Sequence, residues 1–249
     1  MSPEAARAAY VPPPPLTRVR RRARERGAGR ALREMATWCA GYAAGFPRTL
    51  GGSAPGFRFD GRQYRLLYHR HGFTWLNERA VEVPIAARAL ADARGRRVLE
   101  VGNVLAHYGY GGHTVVDKYE RGPGVLNLDA LEYAPAEPYD LIVSVSTLEH
   151  IGWDEAVRDP PRAARSVQVL ARHLRVGGKL VVTLPVGYNP VLDGAIRGGR
   201  VPFSTLRALH RTGRTAWEEA DPADVWDVRY DHLTCAANAI LVGTVHRAR

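Results

Sequence analysis

Three short apolar runs dominate the pattern of hydrophobic and polar positions, at residues 98–102, 141–145 and 180–183. Each run is rich in valine, isoleucine and leucine, lacks strict alternation, and ends in small or polar residues. Such runs are typical of strands that are buried on both faces, as in a parallel sheet covered by helices. The pattern therefore predicts an α/β domain.

Other segments complete this prediction. In residues 77–93, Val81, Ile85 and Ala89 recur at helical spacing, which predicts a helix leading into the first strand. Three further helices are predicted over residues 32–46, 162–174 and 204–210, and further strands over residues 114–116, 125–128 and 238–245. Strands that alternate with helices indicate a doubly wound, mostly parallel sheet.

Small and acidic residues follow the predicted strands. Gly102 ends the first strand, and Asp117 and Asp129 come directly after the next two. Ligands of parallel sheets bind beyond the carboxyl ends of the strands, near the point where the strand order reverses. A glycine there admits ligand close to the backbone, and carboxylates accept ribose hydroxyls or an adenine amine. We therefore expect a nucleoside ligand at this edge.

Together these features resemble the class I S-adenosylmethionine-dependent methyltransferases. The matching segments are residues 98–102, 139–143, 148–150 and 176–180, with Asp117 and the Asp129-Ala130 pair. The resemblance implies a Rossmann-like fold and S-adenosylmethionine as cofactor, with the methionine part at Gly102, the ribose at Asp117 and the adenine near Asp129. The full set of predicted cofactor-binding residues is Glu100, Gly102, Asn103, Asp117, Asp129, Ala130 and Ser146.

The chain departs from the family pattern in its first loop, because residues 103–106 lack the second and third glycines. Asn103 and His107 are able to supply side-chain hydrogen bonds in place of those glycines. The intervals from Gly102 to Asp117 and on to Asp129 leave little room for a helix, and the second contains Gly-Pro-Gly at residues 122–124. We therefore expect trimmed first crossovers.

His150 is the predicted catalytic residue. It follows the fourth strand, and an unperturbed imidazole with a pKa near 6.5 suits a general base at neutral pH. A structural hydrogen-bonding role is the alternative for a histidine in this position. Glu149 and Asn189 are the predicted substrate contacts, although Glu149 is equally suited to ordering the loop or contacting the cofactor. No metal site is predicted.

The N-terminal part differs in composition from the rest. Four prolines at residues 12–15 precede an arginine cluster, and residues 1–34 hold nine arginines against three glutamates. We expect an extended or disordered arm up to about Arg30. The predicted organisation is an arm and helix, partly disordered, over residues 1–56 and an α/β domain over residues 57–249.

The formal charge of +10 leaves the class of ligand open. All but two of the 35 basic residues are arginines, a bias that GC-rich coding also produces. No apolar segment approaches the roughly 20 residues needed to cross a bilayer, so a soluble, cytoplasmic protein is expected. The sequence leaves the oligomeric state open.

Three functions remain open. The leading hypothesis is a methyltransferase that acts on oxygen or nitrogen of a small molecule such as a sugar or polyketide. The second is an RNA methyltransferase whose basic arm binds phosphate, with affinity that falls steeply with salt. The third is a non-catalytic Rossmann-like protein that binds a nucleoside or a protein partner.

Overall fold

A computed structural model describes residues 27–50, 54–213, 215–232 and 234–248, together with residues 17, 20, 21, 23 and 24. Its α-helices in these ranges are α1 (Ala28–Gly45), α2 (Arg79–Asp92), α3 (Arg162–Arg172) and α4 (Pro190–Arg197). A two-stranded hairpin of β1 (Gly56–Phe59) and β2 (Arg62–Arg65) lies between α1 and α2 along the chain. The helices predicted over residues 32–46, 77–93 and 162–174 are thus confirmed, with shifted ends.

An eight-stranded sheet forms the centre of the fold. Its strands are β3 (Val98–Val101), β4 (Thr114–Val116), β5 (Val125–Leu126), β6 (Tyr139–Val145), β7 (Leu174–Pro185), β8 (Thr205–Arg211), β9 (Trp217–Ala220) and β10 (Ala239–His246). They lie in the order β5-β4-β3-β6-β7-β10-β8-β9. Strands β3 to β7 are parallel, whereas β10 is antiparallel to both β7 and β8. The predicted doubly wound, mostly parallel sheet is confirmed.

The sheet is buried on both faces, which explains its continuous apolar runs. Helices α3 and α4 cover one face, where Val167 and Leu192 belong to the same apolar cluster as Leu99. Helix α2 covers the other face, where Val81 packs in a cluster with Val143. The strand order reverses between β3 and β6, so the carboxyl ends of these two strands flank the expected ligand-binding crevice.

The first two crossovers are trimmed, as the spacing predicted. Between β3 and β4 the chain makes a single 3₁₀ turn, Leu105–Tyr108. Between β4 and β5, residues 117–124 contain no helix. The ligand-binding edge is therefore built mainly from loops.

One predicted helix was wrong. Residues 204–210 do not form a helix: Thr205–Arg211 is strand β8, whose backbone pairs with β10 on one side and β9 on the other. Pairing on both edges outweighs the local preference of a short apolar run, which fits either element. The segment 176–180 forms an irregularity inside β7, where Gly177 has a φ of 77° and the register with β6 shifts.

The expected arm was extended or disordered, and most of its described residues are helical instead of extended. Residues 28–30 belong to α1, and residues 17, 20, 21, 23 and 24 have helical backbone. Alanine and arginine are among the strongest helix formers, which accounts for this difference. The prolines at residues 12–15 lie outside the described residues. The boundary predicted at residue 56 stays a prediction.

Candidate active site

A cavity of about 440 Å³ opens at the carboxyl ends of β3 to β6. It brings together five of the predicted site residues, namely Gly102, Asp117, Asp129, Ala130 and His150. Residues that the sequence analysis did not assign to the site also line it, among them Lys118, Glu120, Thr147, Asp154 and Glu155. We call this the larger cavity, because a second, smaller cavity also borders His150.

Gly102 lies in the wall of the larger cavity, against the loop that follows β6. Its φ is 89°, and a Cβ at this position would overlap the side chain of Thr147. Both constraints require glycine here. The loop after Gly102 is held from beneath by Glu100, which is fully buried and accepts hydrogen bonds from the amides of Val104 and Leu105, both at 2.8 Å. Glu100 thus supports the loop rather than lining the larger cavity.

Asp117 joins the first two loops. Its Oδ1 accepts hydrogen bonds from the amides of Tyr119 and Glu120, and its Oδ2 accepts one from the amide of Asn103 at 3.0 Å. Since a carboxylate has about four lone-pair sites, roughly one is left for a ligand. Asp117 is therefore both a loop anchor and a candidate ligand contact.

Glu120 also helps to hold the loop between β3 and β4 in place. Its Oε1 accepts a hydrogen bond from Asn103 Nδ2 at 2.8 Å and lies 2.8 Å from His107 Nε2. Side chains thus hold the loop in which the additional glycines are missing. Sequence spacing did not single out Glu120, because the turn that brings it back to Asn103 is made by the amides bound to Asp117.

Asp129 is the centre of a charged cluster. Its Oδ2 lies 3.0 Å from Lys118 Nζ and 2.8 Å from Arg162, while Oδ1 accepts a hydrogen bond from the Leu131 amide. Burial alone would raise the pKa of Asp129, but this amide and the two cations outweigh it and hold the pKa below its ordinary value. The carboxylate is thus kept ionised beside the larger cavity.

Asp129→Asn should lower the free energy of unfolding at pH 7 by roughly 1–3 kcal/mol, because Lys118 and Arg162 lose their shared charge partner. A lowered pKa in the folded state stabilises the protein above the unfolded pKa of about 3.9, and this contribution is lost as the pH falls through the folded pKa. The difference between variant and wild type in urea unfolding should therefore shrink toward acid pH. Glu137→Gln, which removes an exposed partner of Arg97, is the control. Equal stability at pH 7 would contradict the assigned role of Asp129.

His150 lies in the 3₁₀ turn Leu148–His150 after β6. Its Nδ1 is 2.5 Å from Asp154 Oδ2, which also accepts a hydrogen bond from the Tyr188 hydroxyl at 2.6 Å. Burial alone would lower the pKa of His150, but the carboxylates of Glu149 and Asp154 raise it above its ordinary value. With Nδ1 donating to Asp154, Nε2 is the nitrogen that can take up a proton.

A smaller cavity of about 250 Å³ lies on the other side of His150. Its lining includes His71, Asn77, Glu78, Arg79, Tyr108, Ser146, Glu149, His150, Tyr188 and Tyr230. The predicted cofactor residue Ser146 lines this cavity instead of the larger one, and its hydroxyl donates to Glu82 at 2.5 Å. Its assignment to the cofactor stays a prediction.

Asn189 is buried at the start of α4. Its Oδ1 accepts from the amides of Val191 and Leu192, and its Nδ2 donates to the backbone oxygen of Glu149 at 2.8 Å. The side chain therefore caps α4 and positions the turn that carries Glu149. A direct substrate contact by Asn189 stays a prediction.

Comparison with known proteins gives structural likeness only. No family model and no curated protein matches the sequence. The N-methyltransferase NodS from Bradyrhizobium japonicum, solved with S-adenosylhomocysteine, has a TM-score of 0.45 and 14% identity over 70% of this chain and 89% of that chain. The sugar N-methyltransferase KedS8 from Streptoalloteichus sp. has a TM-score of 0.34 and 17% identity over 68% of this chain and 87% of that chain.

A third solved structure is 1,6-didemethyltoxoflavin-N1-methyltransferase from Burkholderia thailandensis, with bound 1,6-didemethyltoxoflavin and S-adenosylhomocysteine. It has a TM-score of 0.38 and 14% identity over 79% of this chain and 100% of that chain. The Rossmann-like α/β fold rests on the order and direction of the strands in the sheet. Within the described residues, no helix is long and apolar enough to cross a membrane.

Proposed function

We propose that this protein is an S-adenosylmethionine-dependent methyltransferase that acts on a small molecule, with the cofactor in the larger cavity and the acceptor in the smaller one. The observation that carries the proposal is the position of His150, which lines both cavities. A group at such a junction is able to serve an acceptor atom that faces the cofactor. The arrangement lies at the switch point of the sheet, where α/β proteins bind their ligands.

The residues of the larger cavity fit this cofactor. Its volume of about 440 Å³ falls within the range of small-molecule sites, and Val116, Leu128 and Ile151 give it apolar walls suited to an adenine ring. Glycine at position 102 lets the loop after β6 pack against this wall through Thr147, beside the place assigned to the methionine part. Bound there, S-adenosylmethionine supplies a methyl group already activated by its sulfonium.

The ribose is assigned to the loop that follows β4. Asp117 has roughly one lone-pair site left after its three backbone hydrogen bonds, and Glu120 presents a half-exposed carboxylate three residues later. The two adjacent hydroxyls of the ribose match the two neighbouring carboxylates of Asp117 and Glu120. Glu120 therefore joins Asp117 in the ribose assignment.

His150 is the proposed base. Asp154 holds its ring, and Nε2 takes the proton that an acceptor nucleophile must release. Because the two neighbouring carboxylates raise the pKa of His150, the neutral form needed for this step is favoured only above the ordinary pKa.

Calorimetric titration with S-adenosylhomocysteine tests the cofactor assignment. The wild type should bind, and Asp117→Asn and Glu120→Gln should each weaken binding by about tenfold or more, since each removes a charged acceptor of a ribose hydroxyl. Glu137→Gln, at an exposed site outside the cavity, should bind as the wild type does. Unchanged affinity in both variants would refute the ribose assignment, and no binding by the wild type would favour a non-catalytic role.

A further inference from the structure

The smaller cavity contains a carboxylate that is buried without a complete set of partners. Glu149 is 2% exposed, and its Oε2 has no hydrogen-bond partner among the residues that the structure describes. Its Oε1 lies 3.6 Å from His150 Nε2, longer than a hydrogen bond. A buried carboxylate oxygen without a donor is costly, so a donor from a ligand would stabilise it.

The neighbouring cation does not neutralise Glu149. Arg79 pairs with Glu82 at 2.9 Å and donates to the backbone oxygens of Val145 and Ser146. Burial is the main cause that raises the pKa of Glu149 to about 7, and the attraction of Arg79 is among the smallest effects on it. The charge of Arg79 is therefore largely neutralised by the ion pair with Glu82.

Charge balance in the smaller cavity favours a cationic ligand. Once Arg79 is paired with Glu82, the ionisable groups that remain include the two buried carboxyls of Glu78 and Glu149 and the imidazole of His150. Glu78 accepts a hydrogen bond from the Ala237 amide at 2.8 Å, and burial and Glu82 raise its pKa. Burial lowers the pKa of His71, the other imidazole in the lining, which favours its neutral form. When His150 is also in the neutral form that a base requires, the described residues of this cavity leave no cation for these carboxylates. A ligand with an ammonium group would offset the negative charge of these carboxylates, whereas a ligand with a neutral hydroxyl would not.

Strained backbone conformations are concentrated around the smaller cavity. Among the described residues, four non-glycine positions have a positive φ, and three of them line or adjoin the smaller cavity. They are Ser146 at 37°, Cys235 at 53° and Phe73 at 49°, which follows Gly72 in the cavity wall. Such conformations cluster at ligand sites, where the surroundings hold the side chains in a fixed arrangement.

We infer that the smaller cavity binds an acceptor amine as its ammonium form, with the Glu149 carboxylate as the residue that selects nitrogen over oxygen. This inference rests on the proposed methyltransferase function and names its acceptor class. An N–H bond of the ammonium breaks, its electron pair stays on nitrogen, and the proton forms an N–H bond at Nε2 of His150. The cavity of about 250 Å³ suits one small ring or the amine-bearing end of a longer molecule.

Two probes of equal ring size separate the two chemistries. Cyclohexylamine and cyclohexanol are titrated at pH 7.5 into protein saturated with S-adenosylhomocysteine, and binding is followed by ligand-observed NMR. The amine should bind at least about tenfold more tightly than the alcohol, as expected for one charged hydrogen bond in a buried site. Glu149→Gln should abolish this preference, whereas Glu149→Asp, which keeps the charge, should retain part of it. Glu137→Gln, at an exposed site, is the matched control and should bind both probes as the wild type does.

The wild-type comparison decides the inference even if a Glu149 variant does not fold. Equal affinity for the two probes, or no detectable binding of the amine at millimolar concentration, would overturn it. A preference that survives intact in folded Glu149→Gln would overturn the role of Glu149. Binding of S-adenosylhomocysteine is measured first in the same sample, so its failure counts against the proposed function and not against amine selection.

Discussion

Replacing His150 with glutamine should lower methyl transfer by about 10² to 10⁴-fold, the range typical for loss of a general base. Glutamine keeps a polar side chain of similar reach but takes up no proton at neutral pH. The affinity for S-adenosylhomocysteine should change little, because the proposed ribose and adenine contacts lie after β4 and β5. Turnover and calorimetric affinity are compared in the same preparation. Full activity in a folded variant would return His150 to a structural role.

The pH profile separates a base from a structural histidine. Because Glu149 and Asp154 raise the pKa of His150, the rate should rise with pH through a midpoint above about 6.5. Asp154→Asn removes one of these carboxylates, so its midpoint should move to lower pH even as the maximal rate falls. An unchanged midpoint in this variant would contradict proton uptake by His150.

Gly102→Ala should weaken the binding of S-adenosylhomocysteine by about tenfold to a hundredfold. The substitution forces a side chain into a left-handed backbone conformation, at a cost of about 1–3 kcal/mol, and its Cβ overlaps Thr147. Relief of this overlap requires movement of the wall of the larger cavity. Calorimetric affinity, with thermal unfolding to confirm the fold, measures the effect.

Gly109 offers a matched control in the same loop. Its φ of 83° is close to that of Gly102, but a Cβ there would meet no atom within 4 Å. Gly109→Ala should therefore destabilise the protein through the backbone alone and leave affinity for S-adenosylhomocysteine nearly unchanged. Similar losses in both variants would show that backbone strain, and not the close approach to Thr147, limits binding.

The sequence predicts the centre of this fold well because strands buried on both faces are rich in apolar residues and lack strict alternation. Strands β3 and β6 are mostly apolar, and because they are parallel neighbours their carboxyl ends bring Gly102 and His150 to one edge. The strand β8 was missed for the opposite reason. Its state depends on pairing with β10 and β9, which local periodicity does not record.

The site was only partly predictable for a related reason. Asp129 was found because it follows a strand, but its partners Lys118 and Arg162 come from a loop and from α3, 11 and 33 positions away along the chain. No local pattern links such residues. Asp154 lies nearer, four residues after His150, but its pairing depends on the irregular turn that follows Leu148–His150.

The side-chain hydrogen bonds that hold the loop between β3 and β4 have a thermodynamic consequence. Glu120 joins Asn103 and His107, Asp117 anchors the amide of Asn103, and Glu100 anchors the two amides after it. A glycine-rich loop gains many conformations when it is empty, and a ligand must remove them. Here the folding of the chain has already removed most of that freedom. The nucleoside therefore meets a preorganised surface, and little of its binding free energy is spent on ordering the protein.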